Sequence, residues 1–177
     1  MKKKILIISY YWPPAGGPGV QRWLKFVKYL PEFNISPVLF VPKNANYPIN
    51  DNSLKSEVSN DLEIIKLPIF ELSNFFPRLK SLNSIRSGNI SKNKNQSILQ
   101  KIIFFIRGNL FIPDMKIFWK RNSVNFLENY LSENRIDTII TTGPPHSLHL
   151  IGLKLKKKLN IKWISDFRDP WVNLNYL

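Results

Sequence analysis

Apolar residues along this chain follow two rhythms, and the places where one gives way to the other outline its elements. Ile5, Leu6, Ile7 and Ile8 form an unbroken apolar run, the kind buried on both faces of a parallel sheet, and predict a central strand. From Val20 the spacing changes. Val20, Trp23, Leu24, Val27 and Leu30 recur at helical intervals, while Gln21, Arg22, Lys25 and Lys28 fall on the other side, which predicts a helix with a basic outer face. Further strands are expected at Pro37–Val41, closed by Pro42, at Leu62–Leu67, near a sheet edge because Pro68 follows, and at Ile136–Thr141 and Ile161–Ser165. Two more helices are expected. One opens at Pro113-Asp114 with Asp114 as its cap, turns Ile117, Phe118, Val124, Leu127 and Leu131 inward, and ends at Asn134-Arg135. The other is capped by Ser147 and turns Leu148, Ile151, Leu155 and Leu159 inward, with Lys154, Lys156, Lys157 and Lys158 crowding its last turn, where cations suit the helix dipole.

Strands alternating with helices predict an α/β fold: a Rossmann-like, doubly wound, mostly parallel sheet with helices on both faces. In such a sheet ligands bind outside the carboxyl ends of the strands. That rule gathers three loops at one rim: Tyr10–Gly19, Thr142–Ser147 and Asp166–Trp171. In the first, Pro13-Pro14 stops the strand, and Gly16, Gly17 and Gly19 let the backbone approach a ligand closely. A loop of this kind aims amides and the positive end of a helix at a phosphate or other anion. A tight strand-to-helix turn with no ligand uses the same residues. The glycines do not spell G-x-G-x-x-G, and no Lys-Ser/Thr pair makes a P-loop, so nicotinamide binding and ATP hydrolysis lose support.

Composition narrows the picture. The 177 residues, 44% apolar, suit one domain with a real core. Cysteine is missing, which removes disulfides, thiolate metal sites and Cys nucleophiles. The apolar run at the start is too short for a signal peptide or a membrane span, so a cytoplasmic protein is expected. The net charge of +14, from 26 Lys and Arg against 12 Asp and Glu, favours anionic partners. The cations are dispersed and no nucleic-acid-binding motif is present, so charge points to an anionic membrane surface before nucleic acid; a merely solvated basic face accounts for it equally well. The Ser-, Asn- and Lys-rich stretch from Leu79 to Ser97, centred on residues 81–97, predicts a mobile loop. The apolar, basic stretch Ile98–Ile112 that follows reads as a buried core helix or as a segment lying in a membrane interface.

Candidate chemistry collects on the three loops. Asp166, Arg168 and Asp169 form a charged cluster between Phe167 and Trp171. A carboxylate there can hold a sugar hydroxyl or accept a proton, and Arg168 can grip a phosphate through its planar fork; an Asp–Arg pair that merely fixes the loop is the competing reading. His146, on a Pro-Pro loop where a helix begins, suits a neutral hydrogen-bonding imidazole, whereas His149 reads as an ordinary helix residue. The two histidines have no further ligands at metal spacing, and no metal is inferred.

The stretches YYWPPAGGPGVQRWLKFVKYL, FIPDMKIFW, TTGPPHSLHLIGLKL and WISDFRDPW, taken together and in order, resemble the N-terminal domain of family 4 glycosyltransferases, retaining enzymes built from two Rossmann-like domains in the GT-B arrangement. The resemblance implies an acceptor-binding half that acts with a second domain, absent from this chain, which binds the nucleotide sugar. The acceptor would be a cell-surface glycan or a lipid-linked glycan, and the enzyme bacterial and peripheral at the inner membrane face. No cofactor is implied beyond the nucleotide-sugar donor. Carried over by position, Gly16 and Gly17 would line the cleft near the donor phosphates, the Thr142–Ser147 loop would border the acceptor, and Asp166 would stand where many members carry a catalytically important histidine; Asp166 and His146 are thus the catalytic candidates, and Gly19, Arg168 and Asp169 join Gly16 and Gly17 as candidates for binding the donor. Without the second domain the chain is expected to be inactive. A non-catalytic Rossmann-like module binding nucleic acid or a phosphorylated ligand is the alternative.

Overall fold

A computed structural model of the chain describes residues 2–71 and 111–168. The run Ile5–Ile8 is the buried part of β1 (Lys3–Ile8). Residues this apolar on both faces need cover on every side, and β1 lies at the centre of the sheet. On one side it pairs with β2 (Ile35–Pro42), Leu6 opposite Val38, and β2 pairs with β3 (Glu63–Leu67). On the other it pairs with β4 (Thr138–Gly143), Leu6 opposite Ile139, and β4 pairs with β5 (Lys162–Phe167). All four pairings are parallel and the order is β3-β2-β1-β4-β5. The fold is Rossmann-like α/β, with β3 at an edge as Pro68 requires.

Alternate residues of each strand feed two separate cores. On one face Ile5, Ile7, Leu39 and Val41 meet Val20, Trp23, Leu24 and Val27 of α1 (Pro18–Tyr29). Leu54, from a 3-10 stretch over Asn52–Glu57 within the β2-to-β3 connection, extends this core. On the other face Leu6, Ile8, Val38, Phe40 and Ile139 meet α2 (Trp119–Glu133), through Val124, Leu127 and Leu131, and α3 (Ser147–Leu159), through Leu148, Ile151 and Leu155. Helices therefore cover both faces. Gly152 lets α3 lie close against β4: a Cβ there would come within 2.8 Å of Thr141 Cγ2 and overlap the Trp163 indole.

Three expectations are corrected. The helix expected from Pro113-Asp114 begins only at Trp119, because the Asp114 carboxylate is engaged elsewhere, as described below, and residues 114–118 turn instead. The one-turn delay rotates Phe118 out to 47% exposure and seats Trp119 in the core, its ring stacked on Phe40 at 4.9 Å between centroids. Ser147 does not cap its helix; it is the first residue of α3, and His146 occupies the cap position with no side-chain bond. Finally, β5 runs on through Asp166 and Phe167, so Asp166 is a strand residue opposite Thr142 and not part of the loop beyond. The stretch 79–97 and most of Ile98–Ile112 lie outside the described residues, as does Asp169. Among the described residues no helix is long and apolar enough to cross a membrane.

Candidate binding cleft at the carboxyl ends of the strands

In the order β3-β2-β1-β4-β5 the chain moves outward from β1 in one direction and then, from β4, in the other. The switch point lies between β1 and β4, where the loops that leave the two strands part and open a crevice. Here those loops are Ser9–Gly17 and Pro144–His146, and the end of β5 stands beside them. They enclose a cleft of about 190 Å³ lined by Tyr11, Gly16, Gly17, Gly19, Pro144 and Arg168, among others. The first two predicted rim loops thus meet, and Arg168 brings the described part of the third to them.

The glycines do different work. Gly16 lines the cleft, but its amide donates to the Ile49 carbonyl at 3.0 Å, and a Cβ there would press on Ile49 Cγ2 at 3.0 Å and Asp51 Cβ at 3.1 Å. Asp51 N–H in turn donates to the Pro14 carbonyl at 2.7 Å. The loop is zipped to residues 49–51, and Gly16 permits the close approach. Gly17 is the N-cap of α1 with φ +103°, a left-handed conformation that glycine adopts at little cost. Gly19, in the first turn of α1, leaves room for the Arg168 guanidinium, which a Cβ would overlap. Arg168 Nε–H donates to the Gly143 carbonyl at 2.9 Å and its Nη2 to the Pro144 carbonyl at 3.2 Å. Arg168 therefore clasps the β4 loop to the start of α1.

Arg168 also borders a second, more open depression of about 470 Å³, with Pro18, Gly19, Arg22, Asp166 and Phe167. Asp166 is held there by α1: Arg22 Nη1 donates to both of its oxygens at 3.0 and 2.8 Å, and Trp23 Nε1 donates to Oδ2 at 3.0 Å. The Trp23 indole also donates to Thr142 Oγ1 at 2.8 Å. An Asp–Arg pair does fix this region, and its arginine is Arg22, not Arg168. Sequence reading placed Arg22 on a solvated helix face; its position one residue before the buried Trp23 was the available signal.

His146 and His149 share the Phe167 ring, with centroids 5.7 and 4.1 Å away. His149 is the residue that sequence reading undervalued. It is 4% exposed, its Nδ1 lies 2.8 Å from Thr141 Oγ1, and Thr141 Oγ1 accepts from Trp163 Nε1 at 2.9 Å. Its Nε2 has no hydrogen-bond partner among the described residues and points at Gly143, where a Cβ would sit 2.6 Å away. Burial, helped by nearby His146 and opposed by Asp166 and Asp114, pulls the His149 pKa down to about 4, so the ring is neutral at pH 7. Its place on the same helix face as Gly152, three residues on, was the sequence signal.

The two helix starts at the rim differ. Ser147 donates to Asp114 through its N–H, 2.8 Å from Oδ2, and through its hydroxyl, 2.8 Å from Oδ1; Lys116 N–H also donates to Oδ1 at 2.8 Å. A carboxylate from a distant part of the chain thus occupies the positive end of α3. The start of α1 has no side-chain cap and no acidic residue in its first turn, so its positive end is not met by a carboxylate of that turn.

A third constellation, which the hydrophobic pattern did not show, closes the β1 side. Glu71 is almost fully buried and accepts from Lys116 Nζ at 2.7 Å and from the Tyr10 hydroxyl. Lys116 also lies 4.7 Å above the Tyr10 ring. Burial first, and then the Glu71 charge, raise the Tyr10 pKa; the same causes push Tyr47, beside it, up to about 12. Among the described residues no group of three or more His, Asp or Glu is placed to hold a metal ion. No protein-family model matches the chain, and no curated protein matches it.

Proposed function

We propose that this domain is the acceptor-binding half of a retaining glycosyltransferase, working with a separate donor-binding domain to move a sugar from a nucleotide sugar to a cell-surface glycan or glycolipid. One observation carries the reading. At the switch point of a Rossmann-like sheet, the uncapped start of α1 faces a cleft bordered by Gly16, Gly17, Gly19, Pro144 and Arg168. A helix start with an arginine at its side suits phosphate, and a pyrophosphate-bearing donor presents phosphate at such a place. Pro144, from the loop Gly143–His146, lines the cleft beside them, and an acceptor hydroxyl would lie on that side. In this reading Asp166 is a positioning residue: with Arg22 and Trp23 on its oxygens, it sets where the β5 tip and Arg168 stand. His146, at the start of α3 beside Gly143, is the candidate for hydrogen bonding to the acceptor.

The test is sugar transfer by the chain paired with a donor-binding domain, supplied with labelled nucleotide sugars and a lipid extract. Transfer is expected from that pairing and not from the 177-residue chain alone, with Arg168→Ala and Asp166→Ala each lowering it by at least about tenfold, the value of one charge-assisted hydrogen bond. No transfer from any nucleotide sugar, or full activity in both variants, would overturn the proposal. The basic charge supports a second reading, a non-catalytic module that binds nucleic acid or a phosphorylated ligand. Nucleic-acid affinity that falls steeply with salt, in step with several phosphate contacts, would favour it.

A further inference from the structure

Three contacts run in series across the switch point, from α1 to α3. Gly19, at the start of α1, leaves room for Arg168; Arg168 donates to the Gly143 carbonyl; and Gly143 leaves room for the ring of His149, in the first turn of α3. Both glycines admit a bulky neighbour. A Cβ at Gly19 would overlap the Arg168 guanidinium, and a Cβ at Gly143 would come within 2.6 Å of His149 Nε2.

The His149 ring is held from its other sides. Its Nδ1 lies 2.8 Å from Thr141 Oγ1, and Thr141 shares a face of β4 with Gly143, two residues on. The Phe167 ring packs on it with 4.1 Å between centroids, and Phe167 stands opposite Gly143 in the β4–β5 register. His149 is therefore wedged, 4% exposed, against the tips of both strands. On the edge that faces Gly143 it makes no hydrogen bond: Nε2 has no partner among the described residues. A buried polar atom left unbonded calls for an account, and here the account is contact. The ring is neutral at pH 7 and meets Gly143 as a flat body in a close-packed interior, where a strand tip cannot shift without displacing it. Arg168 takes its place from the same two tips. It follows Phe167 directly and donates Nε–H to the Gly143 carbonyl at 2.9 Å, so a shift of either tip moves the guanidinium that lines the cleft.

We propose that His149 is a positioning residue for the cleft: its ring, wedged against Gly143 and Phe167, sets where the Arg168 guanidinium stands. The inference rests on the anion-binding reading of the cleft only for the use to which Arg168 is put. The position of Arg168 is read with no ligand present, so failure of the positioning and failure of anion binding are separate results.

The experiment is heteronuclear NMR of the 177-residue chain, following the Arg168 Nε–H resonance, assigned by its loss in Arg168→Lys, together with calorimetric titration of inorganic pyrophosphate. His149→Ala should move that resonance and weaken pyrophosphate binding at least about fivefold, the contribution of one hydrogen bond. His149→Phe, which keeps a flat ring and no polar atom, should recover most of the affinity lost by alanine. Gly143→Ala, whose methyl group overlaps the ring, should move the resonance too, and pairing it with His149→Ala should do less harm than the two single losses added together. A purely structural histidine would lower the urea midpoint of His149→Ala and leave the resonance and the affinity of the folded chain at the parent's values; that result overturns the proposal. So does a His149→Phe chain as impaired as His149→Ala or, should His149→Ala fail to fold, a Gly143→Ala chain whose Arg168 resonance has not moved. A parent chain that binds no pyrophosphate, with the resonance still moved by His149→Ala, upholds the positioning and removes the anion site.

Discussion

The guanidinium of Arg168 occupies the space in which a side chain at Gly19 would begin. The two residues therefore cannot both be large, and replacing Gly19 by alanine should push Arg168 off α1 and loosen its bonds to the Gly143 and Pro144 carbonyls. Alanine is the better helix former by up to about 1 kcal/mol, while two neutral-acceptor hydrogen bonds contribute about 0.5–1.5 kcal/mol each. Urea denaturation of Gly19→Ala should accordingly give a stability within about 2 kcal/mol of the parent. Titration with inorganic pyrophosphate should show the larger effect, a loss of about tenfold or more in affinity, because the cleft loses its ordered arginine.

The Lys116–Glu71 pair is the most buried pairing of opposite charges among the described ones, with side chains 11% and 1% exposed. Removing one member takes the closest opposite charge from a buried group, a loss of up to about 3–5 kcal/mol. Glu71→Gln and Lys116→Met should each lower the unfolding free energy read from urea denaturation, by no more than that amount. The double variant should be more stable than the sum of the two losses predicts, and a double-mutant cycle reads the coupling directly.

His149 gives the fold an acid-side weakness. Its ring binds a proton near pH 6.5 when unfolded but only near pH 4 when folded. Between those values the unfolded chain holds a proton that the folded chain refuses, so stability falls as pH is lowered from about 6.5 to about 4 and levels off below, as far as this group is concerned. The matching variant is His149→Gln, which keeps a polar atom for Thr141 Oγ1. Thermal denaturation across that window should show a shallower slope for the variant than for the parent.

Gly152 is the contact point of α3 with the sheet. A methyl group there meets the Trp163 indole and Thr141 Cγ2, and overpacking of this kind costs about 1–3 kcal/mol. Against this stands a helix-propensity gain of up to about 1 kcal/mol. Gly152→Ala should therefore be destabilising by about 1–2 kcal/mol in urea, and the indole N–H resonance of Trp163 should move as its bond to Thr141 Oγ1 is disturbed.

Local pattern was enough for the architecture. The run Ile5–Ile8 and the helical spacing from Val20 to Val27 each bury what they appear to bury, because periodicity reports the faces of an element directly. Rim placement followed from topology alone. What pattern could not supply were partners far apart in sequence. Arg22 and Asp166 are separated by 144 residues, Tyr10 and Glu71 by 61, and nothing local marks either pair. The late start of α2 has the same origin: Asp114 looks like a cap for its own helix, and only the tertiary fold assigns it to α3. His149 looked ordinary for a related reason, since a single helical letter does not say how deep its face will lie.

Asp114 has a consequence for how any charged guest must enter. With one of the two neighbouring helix starts plugged by the chain's own carboxylate, a doubly phosphorylated molecule of the kind proposed would find one open helix start, at Gly17–Gly19, and could not lie across the crevice in either of two senses. In the proposed reading the domain would thereby impose a heading on its guest: the anionic head would go to the glycine side, and the remainder would extend past Pro144.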